Sequence, residues 1–228
     1  MAAGNLSPED KGQAAEAALR AHVYGLLSLV FMKEPSPVLI RSMKAPEILG
    51  ALADLGISLD DEFMQGDEDE IVEALSLEYT RLFLGPGPHI SPYQSVYDSE
   101  DEGAQLWGRK TQEIQRFMKR LGLEMDDAQM IPDHIAVELA IMQKLCEREA
   151  EAWAEEDAEA AMLSLQLENE FMTGHLNVWI DGFCDAALDA EPAPFYRDAV
   201  RLTKMYVASE STYICDCVEA SGDSVRSK

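Results

Sequence analysis

Apolar residues recur at helical intervals along almost the whole chain. In the segment Pro8–Met32, alanine, leucine, valine and phenylalanine at spacings of three and four predict one long helix. Pro35 and Pro37 end it, because proline lacks the amide hydrogen that a continuing helix needs. A second helix or pair of helices follows over Val38–Leu55, interrupted near Pro46. No useful stretch alternates between apolar and polar residues as a strand would, so the pattern predicts an all-α fold.

Proline and glycine divide the remainder of the chain into further predicted helices. These are a helix after Gly66-Asp67 that contains Tyr79, helices over 100–121 and 132–154, one or two helices within 155–190, and a last helix over 195–219. Most connections between them are short, which favours one compact multi-helix domain. We expect this domain to span residues 1–220 and the tail 221–228 to be disordered.

The longest predicted connection, residues 85–98, is rich in proline and tyrosine. It follows a helix whose apolar face ends abruptly at a run of glycine and proline, Gly85 to Pro88. One interpretation is a helix end followed by a packed surface loop; the other is one wall of a binding groove. The residues that would line this groove are Tyr79, Leu82, Phe83, Gly85, Pro92, Tyr93 and Tyr97.

A second polar group opens the helix predicted from Pro132. Asp133 is placed to cap that helix, and His134 and Glu138 stand four residues apart, so that they share one face and can form a hydrogen-bonded pair. Such a pair suits general-base chemistry or the binding of a cationic ligand. The structural interpretation is a capping aspartate beside a histidine with its hydrogen bonds satisfied.

Charge and cysteine content narrow the choice of function. The net charge is −25, from 43 acidic and 18 basic residues, which repels phosphate backbones and anionic lipid. We therefore expect no nucleic-acid partner and no stable membrane insertion; the charge suits a basic partner, or equally serves solubility alone. With no secretion signal and no membrane-length apolar run, a cytoplasmic location is expected. Cys215 and Cys217 lack the spacing of a zinc site, and no cofactor is expected.

Aromatic residues also recur in the second half of the chain. Phe171, His175, Trp179 and Phe183 lie four residues apart and are interpreted as a core stripe. His22 is likewise predicted to be buried between helices. The motifs of nucleotide-binding loops, serine hydrolases and helical zinc enzymes do not occur.

Taken together, these motifs make the chain similar to the TorD/DmsD family of redox-enzyme maturation chaperones. The resemblance runs from about residue 15 to 207. One departure is that Met130 and Ile131 stand where the family often has a glutamate before its Asp-His pair. The matching features are Tyr79-x-x-Leu82-Phe83, Gly85-Pro86-Gly87, Pro92 to Tyr97, Pro132-Asp133-His134, and His175-Leu176-x-x-Trp179.

The resemblance implies an all-helical, non-catalytic cytoplasmic protein. Its implied partners are a molybdoenzyme catalytic subunit and the twin-arginine signal peptide of that subunit, whose export is delayed until the cofactor is inserted. In the implied groove, Asp133 and Glu138 pair with the arginines and His134 orients them. Two alternatives are a small metal-dependent hydrolase that uses Asp133, His134 and Glu138, and an acidic assembly factor that binds folded enzyme. A monomer and a domain-swapped dimer are both compatible with long helices joined by hinges.

Overall fold

The computed structural model describes residues 8–54, 59–85, 89–97, 107–124 and 130–226. Across these ranges the chain is built from helices and contains no strand, so the prediction of an all-α fold is confirmed. Two π-helical segments, Thr80–Leu84 and Met172–Leu176, directly follow α-helices. The α-helices are α1 Pro8–Met32, α2 Pro37–Met43, α3 Pro46–Asp54, α4 Asp61–Gln65, α5 Glu68–Tyr79, α6 Gln94–Tyr97, α7 Arg109–Arg120, α8 Ile135–Ala154, α9 Ala158–Phe171, α10 Asn177–Asp189 and α11 Pro194–Arg226.

Several helix boundaries differ from the sequence prediction. The short helices α4 and α6 were not predicted, because four or five residues are too few to show helical periodicity. Helix α8 begins at Ile135, and Pro132 lies in the preceding turn, not in the first helical turn. Helix α11 continues to Arg226, beyond the predicted end at Glu219. The predicted disordered tail therefore overlaps a helix, and residues 227–228 lie outside the described part of the chain.

Helix α8 is the centre of the fold and packs along α1 and α9. Helices α10 and α11 complete the bundle, with α11 also against α9. The core stripe predicted from the sequence is confirmed, because Phe171, His175, Trp179 and Phe183 are all buried. His22 is exposed on α1, so its prediction as a core residue was wrong.

A buried ion network joins four helices at one point. The Arg20 guanidinium on α1 contacts Glu149 on α8 at 2.6 Å and Glu210 on α11 at 2.7 Å, and it also pairs with Glu168 on α9. Arg20 is 5% exposed and Glu168 is fully buried. One cation therefore meets three carboxylates inside the protein, and burial raises the pKa of Glu168 to about 8 although Arg20 opposes that rise.

By length and composition, one helix among the described residues is apolar enough to cross a membrane. This is the segment Asp10–Met32, with a mean hydropathy of 1.2 in its most apolar window. Half of that window is buried inside the protein, where α1 packs against α8. Core helices of soluble proteins share these properties.

Candidate functional site

The two sequence blocks that suggested a site are joined by backbone hydrogen bonds. Tyr93 and His134 form an isolated antiparallel bridge, in which Gln94 N–H donates to the Asp133 carbonyl and Ile135 N–H donates to the Pro92 carbonyl, each at 2.9 Å. The Tyr93 ring lies edge-on to the imidazole of His134, with ring centroids 5.0 Å apart. The loop after the π-helical segment and the start of α8 thus form one unit, as the prediction of a shared site requires.

Asp133 holds this unit together from inside. Its Oδ2 accepts from Ser95 N–H at 3.0 Å and its Oδ1 accepts from the Thr111 hydroxyl at 2.9 Å. The side chain is fully buried. Asp133 does not cap α8, which corrects that prediction, and both of its oxygens are already bonded to α6 and α7. In this conformation the carboxylate is not accessible to an arginine of a peptide.

His134 is the residue that caps α8. Its Nδ1 accepts from Ala136 N–H at 3.1 Å, so that nitrogen carries no proton. Burial lowers the pKa of His134 to about 4, although the neighbouring Asp133 acts in the opposite direction. The imidazole is therefore neutral at physiological pH. It forms no hydrogen bond with Glu138 among the described contacts, so the predicted His–Glu pair is not present.

Glu138 points to α10. Its Oε2 accepts from the indole N–H of Trp179 at 3.1 Å, and its Oε1 has no hydrogen-bond partner in the described structure. The side chain is fully buried, and this burial raises the pKa of Glu138 well above its usual range. Burial thus favours the neutral carboxyl, which suits a structural contact with Trp179, and the buried side chain is not accessible to a ligand.

Gln94 and His175 form a further buried contact that sequence reasoning did not assign. The Gln94 side chain is fully buried, with its Oε1 3.1 Å from Nδ1 of His175 and its amide nitrogen 3.4 Å from the His175 carbonyl. Burial lowers the pKa of His175 to about 4. The signal available in the sequence was a polar glutamine between Tyr93 and Ser95, and it indicates a buried polar contact only once its partner is known.

Tyr79, Leu82 and Phe83 lie in the core beside this unit. The Tyr79 hydroxyl donates to the Phe31 carbonyl at 3.0 Å. The Phe83 ring contacts those of Tyr79, Phe31, Phe183 and Tyr196 at centroid distances of 5.1 to 6.2 Å. All three predicted residues are less than 5% exposed. They therefore position the loop from within, and none of them presents a surface to a ligand in this conformation.

The loop residues Gly85 and Tyr97 are less deeply buried. A Cβ on Gly85 would come within 3.2 Å of the Thr80 carbonyl oxygen, so a side chain there would press on the end of the π-helical segment. The Tyr97 ring packs against Trp179, with centroids 5.5 Å apart, and Tyr93 is half-buried beside His134. Pro86, Gly87 and Pro88, which belong to the predicted turn, lie outside the described residues.

An apolar groove lies close to the Asp133 turn, and Met130 just before that turn contributes to it. A cavity of about 540 Å³ between α1, α7 and α8 is lined largely by Leu29, Met32, Met118, Met130, Val137 and Ile141. Met118 and Met130 also border an adjoining cavity of about 390 Å³ that reaches Pro132 and the exposed Trp107. Methionine side chains adapt to differently shaped apolar partners. Pro132 is thus a buried predicted site residue that borders this second cavity.

The arrangement does not resemble a catalytic centre. Asp133, His134 and Glu138 each bond to a different element, and Asp133 and Glu138 are closed off from solvent. Among the described residues, no three His, Cys, Asp or Glu side chains are grouped as metal ligands would be. The loop, α7, α8 and α10 instead meet in a rigid arrangement beneath partly exposed tyrosines. We call this arrangement the junction.

Comparison with known proteins identifies the family. The model of the family described as nitrate reductase delta subunit matches residues 45–185. The chaperone protein TorD of Shewanella loihica is 28% identical over 206 residues, covering 83% of this chain and 90% of the relative. TorD of Vibrio parahaemolyticus is 26% identical over 210 residues, covering 86% and 94%.

The chain is also similar to a solved structure, that of a protein described as a putative redox enzyme maturation protein from Archaeoglobus fulgidus. It is 24% identical with a TM-score of 0.42, covering 67% of this chain and 90% of that one. The family match extends over more than half of the chain and includes both blocks of the junction, Tyr79–Tyr97 and Pro132–Glu138. The chain therefore belongs to the TorD/DmsD family of redox-enzyme maturation chaperones, the family described as nitrate reductase delta subunit.

Proposed function

We propose that this protein is a cytoplasmic chaperone for a molybdenum-cofactor oxidoreductase, and that it binds the twin-arginine signal peptide or the apo-form of that enzyme until the cofactor is inserted. The observation on which this rests is the near full-length similarity to proteins named as TorD chaperones. The net charge of −25 is consistent with the proposal, because such a signal is basic.

The peptide site is proposed at the junction of the loop and α8. Tyr93 and Tyr97 are its half-buried members, and Tyr79, Phe83 and Asp133 support them from below. An apolar stretch of the signal would cover the tyrosine rings, as apolar peptide segments cover aromatic grooves in other complexes. Because Asp133 and Glu138 are buried, their part in this site is to hold the surface in shape.

Calorimetry with the signal peptide of a molybdoenzyme encoded next to this gene tests the site. We expect Tyr93→Ala to weaken binding, and Leu163→Ala, which removes an exposed leucine on α9, to leave it unchanged. Asp133→Ala and Phe83→Ala should also weaken binding, with melting temperatures recorded to separate loss of the site from loss of the fold. Unchanged affinity in all three site variants would show that the site assignment is wrong.

The alternative of an assembly factor that binds folded enzyme surface predicts a different result. In a pull-down with client enzyme that lacks its signal peptide, an assembly factor of this kind would still bind. A chaperone that recognises the signal peptide would not. The metal-dependent hydrolase gains no support from the geometry, because His134 is neutral and bonded to a backbone amide while Glu138 bonds to Trp179. Stoichiometric metal in protein purified without chelator would support the hydrolase hypothesis.

A further inference from the structure

A small apolar pocket with an acidic rim lies away from the junction, between α4, α5 and the start of α11. Its volume is about 200 Å³, close to that of one large side chain. Carboxylates of Asp60, Glu62, Asp67 and Glu70 border it, and no basic residue does so among its described lining residues. We call it the acid-rimmed pocket. Its floor is formed by Phe63, Ile71, Leu75 and Phe195, and the exposed Ala74 forms part of its wall.

The floor of the acid-rimmed pocket is aromatic. The rings of Phe63 and Phe195 are stacked, with centroids 5.3 Å apart and planes inclined by 9°. The ammonium of Lys44 lies 5.5 Å from the centroid of the Phe63 ring, so this ring already takes part in one cation–π contact. An aromatic floor of this kind suits an apolar side chain whose neighbours are cationic.

Two of the rim carboxylates accept backbone hydrogen bonds, and the other two are exposed to solvent. Asp60 Oδ1 accepts from Phe63 N–H at 2.8 Å, and Asp67 Oδ1 accepts from the backbone amide of Glu70 at 3.3 Å. Each of these bonds occupies only one carboxylate oxygen. Glu62 and Glu70 are exposed, and neither forms an ion pair within the described part of the chain. Two unpaired carboxylates therefore face solvent beside an apolar floor.

Gly66 brings the two helices together at the rim. A Cβ at this position would lie 2.5 Å from the Glu62 carbonyl oxygen and 3.3 Å from Cδ1 of Ile71. Only glycine permits that approach, and it allows Glu62 on α4 and Glu70 on α5 to border the same pocket. The acidic rim therefore forms because the turn at Gly66 and the packing of Ile71 bring the two helices together. The spacing of the acidic residues in the sequence does not produce it alone.

We propose that the acid-rimmed pocket binds a segment of the client in which an apolar side chain adjoins arginine. The apolar side chain would enter the pocket over Phe63, and the guanidinium would pair with Glu62 and Glu70. This inference rests on the proposed function, and it assigns the arginines of the signal to this pocket in place of the buried Asp133 and Glu138.

Charge complementarity favours this occupant over others. The methionine-lined groove beside α8 has lysines at its edge, Lys33 and Lys144, and offers an arginine-bearing segment no comparable set of acids. The acid-rimmed pocket has four carboxylates around about 200 Å³ of apolar space. A basic and apolar segment complements both features at once, whereas an acidic segment would add negative charge to this rim.

The first test neutralises the rim. Full-length protein with Glu62→Gln and Glu70→Gln is titrated calorimetrically with a synthetic twin-arginine signal peptide, beside a control with Glu151→Gln and Glu159→Gln, two exposed acids on α8 and α9. Both double variants change the net charge equally. We expect the rim variant to bind about tenfold more weakly and the control to remain close to wild type. A peptide in which both arginines are replaced by glutamine should bind the rim variant and the wild-type protein with equal affinity.

The second test fills the pocket without changing charge. Ala74→Leu places a larger side chain on the exposed wall of the pocket, and Ala208→Leu makes the same change on an exposed face of α11. Weaker binding by Ala74→Leu alone supports the proposal. If wild-type protein binds the peptide and both the rim and filling variants bind it equally well, this inference is overturned while the proposed function stands. If wild-type protein does not bind the peptide, this inference is overturned together with the signal-peptide form of the proposed function.

Discussion

Trp179 donates its indole N–H to the Glu138 carboxyl at 3.1 Å, and both side chains are buried between α8 and α10. This bond joins the helix that follows Pro132-Asp133-His134 to the block that ends at Trp179. Burial raises the pKa of Glu138 well above its usual range, so the neutral carboxyl is favoured in this contact. A residue that the sequence suggested as a charged partner of arginine is instead part of the packing of the bundle.

Replacing Glu138 by glutamine should preserve this contact and alter the pH dependence of stability. A carboxyl whose pKa is raised by folding stabilises the protein fully below its unfolded pKa, and that contribution is lost as the pH rises through the folded value. Glu138→Gln should therefore gain stability relative to wild type as the pH rises above the unfolded pKa of the carboxyl. Glu138→Ala should lose about 1–3 kcal/mol or more, because the Trp179 N–H is left without an acceptor. Urea unfolding at several pH values measures both effects.

His134 should have the opposite pH dependence. Its pKa falls to about 4 on folding, so its contribution to stability is complete above the unfolded value of 6.5 and is lost as the pH falls towards 4. His134→Asn retains a side-chain acceptor for Ala136 N–H and removes the titrating group. The variant should lose less stability than wild type on acidification. An identical acid response of both proteins would show that His134 does not remain neutral in the folded state.

Asp133→Asn should destabilise the junction although it changes few atoms. Asp133 accepts from both Ser95 N–H and the Thr111 hydroxyl, and an asparagine side chain has only one acceptor oxygen. We expect a loss of about 1–3 kcal/mol in the free energy of unfolding. Thr111→Val is the matched control, because it removes one donor and leaves the bond to Ser95. Faster amide exchange over 92–97 in Asp133→Asn than in Thr111→Val would locate the effect in the loop.

Arg20→Met should be the most damaging of these substitutions. It leaves Glu149, Glu168 and Glu210 together without their cation, and breaking a buried ion pair costs about 3–5 kcal/mol. Arg41→Met is the control: its pair with Glu68 is exposed, and we expect a change of about 0–1 kcal/mol. Thermal unfolding compares the two.

Glu168→Gln tests the excess of carboxylates over cations in the same buried network. Glu168 Oε1 has no hydrogen-bond partner in the described structure, and the pKa of the carboxyl rises to about 8. Its contribution to stability is therefore lost as the pH rises from about 4.5 towards 8. Glu168→Gln should be tolerated far better than Arg20→Met, and it should flatten the decline of stability above neutral pH. Equal losses in both variants would contradict a protonated Glu168.

The sequence predicted which residues lie close together in space more reliably than it predicted the structural role of each residue. The spacing of Pro92–Tyr97 and Pro132–His134 suggested one unit, and the backbone bridge between Tyr93 and His134 joins them. The cap, however, is His134 and not Asp133. A sequence names several residues able to cap a helix, but it does not say which carboxylate will be drawn to Ser95 and Thr111 on other elements.

What the sequence determined by itself is the helical architecture and its interruptions. Apolar residues at intervals of three and four specify helices locally, and proline specifies where they break, as the end of α1 at Met32 before Pro35 illustrates. Tertiary structure decided the burial and the charge of the side chains. Glu138 lies inside because α10 covers it, whereas Glu62 and Glu70 meet around one pocket because Gly66 lets α4 and α5 approach. Burial and pairing depend on neighbours distant in sequence, which periodicity does not encode.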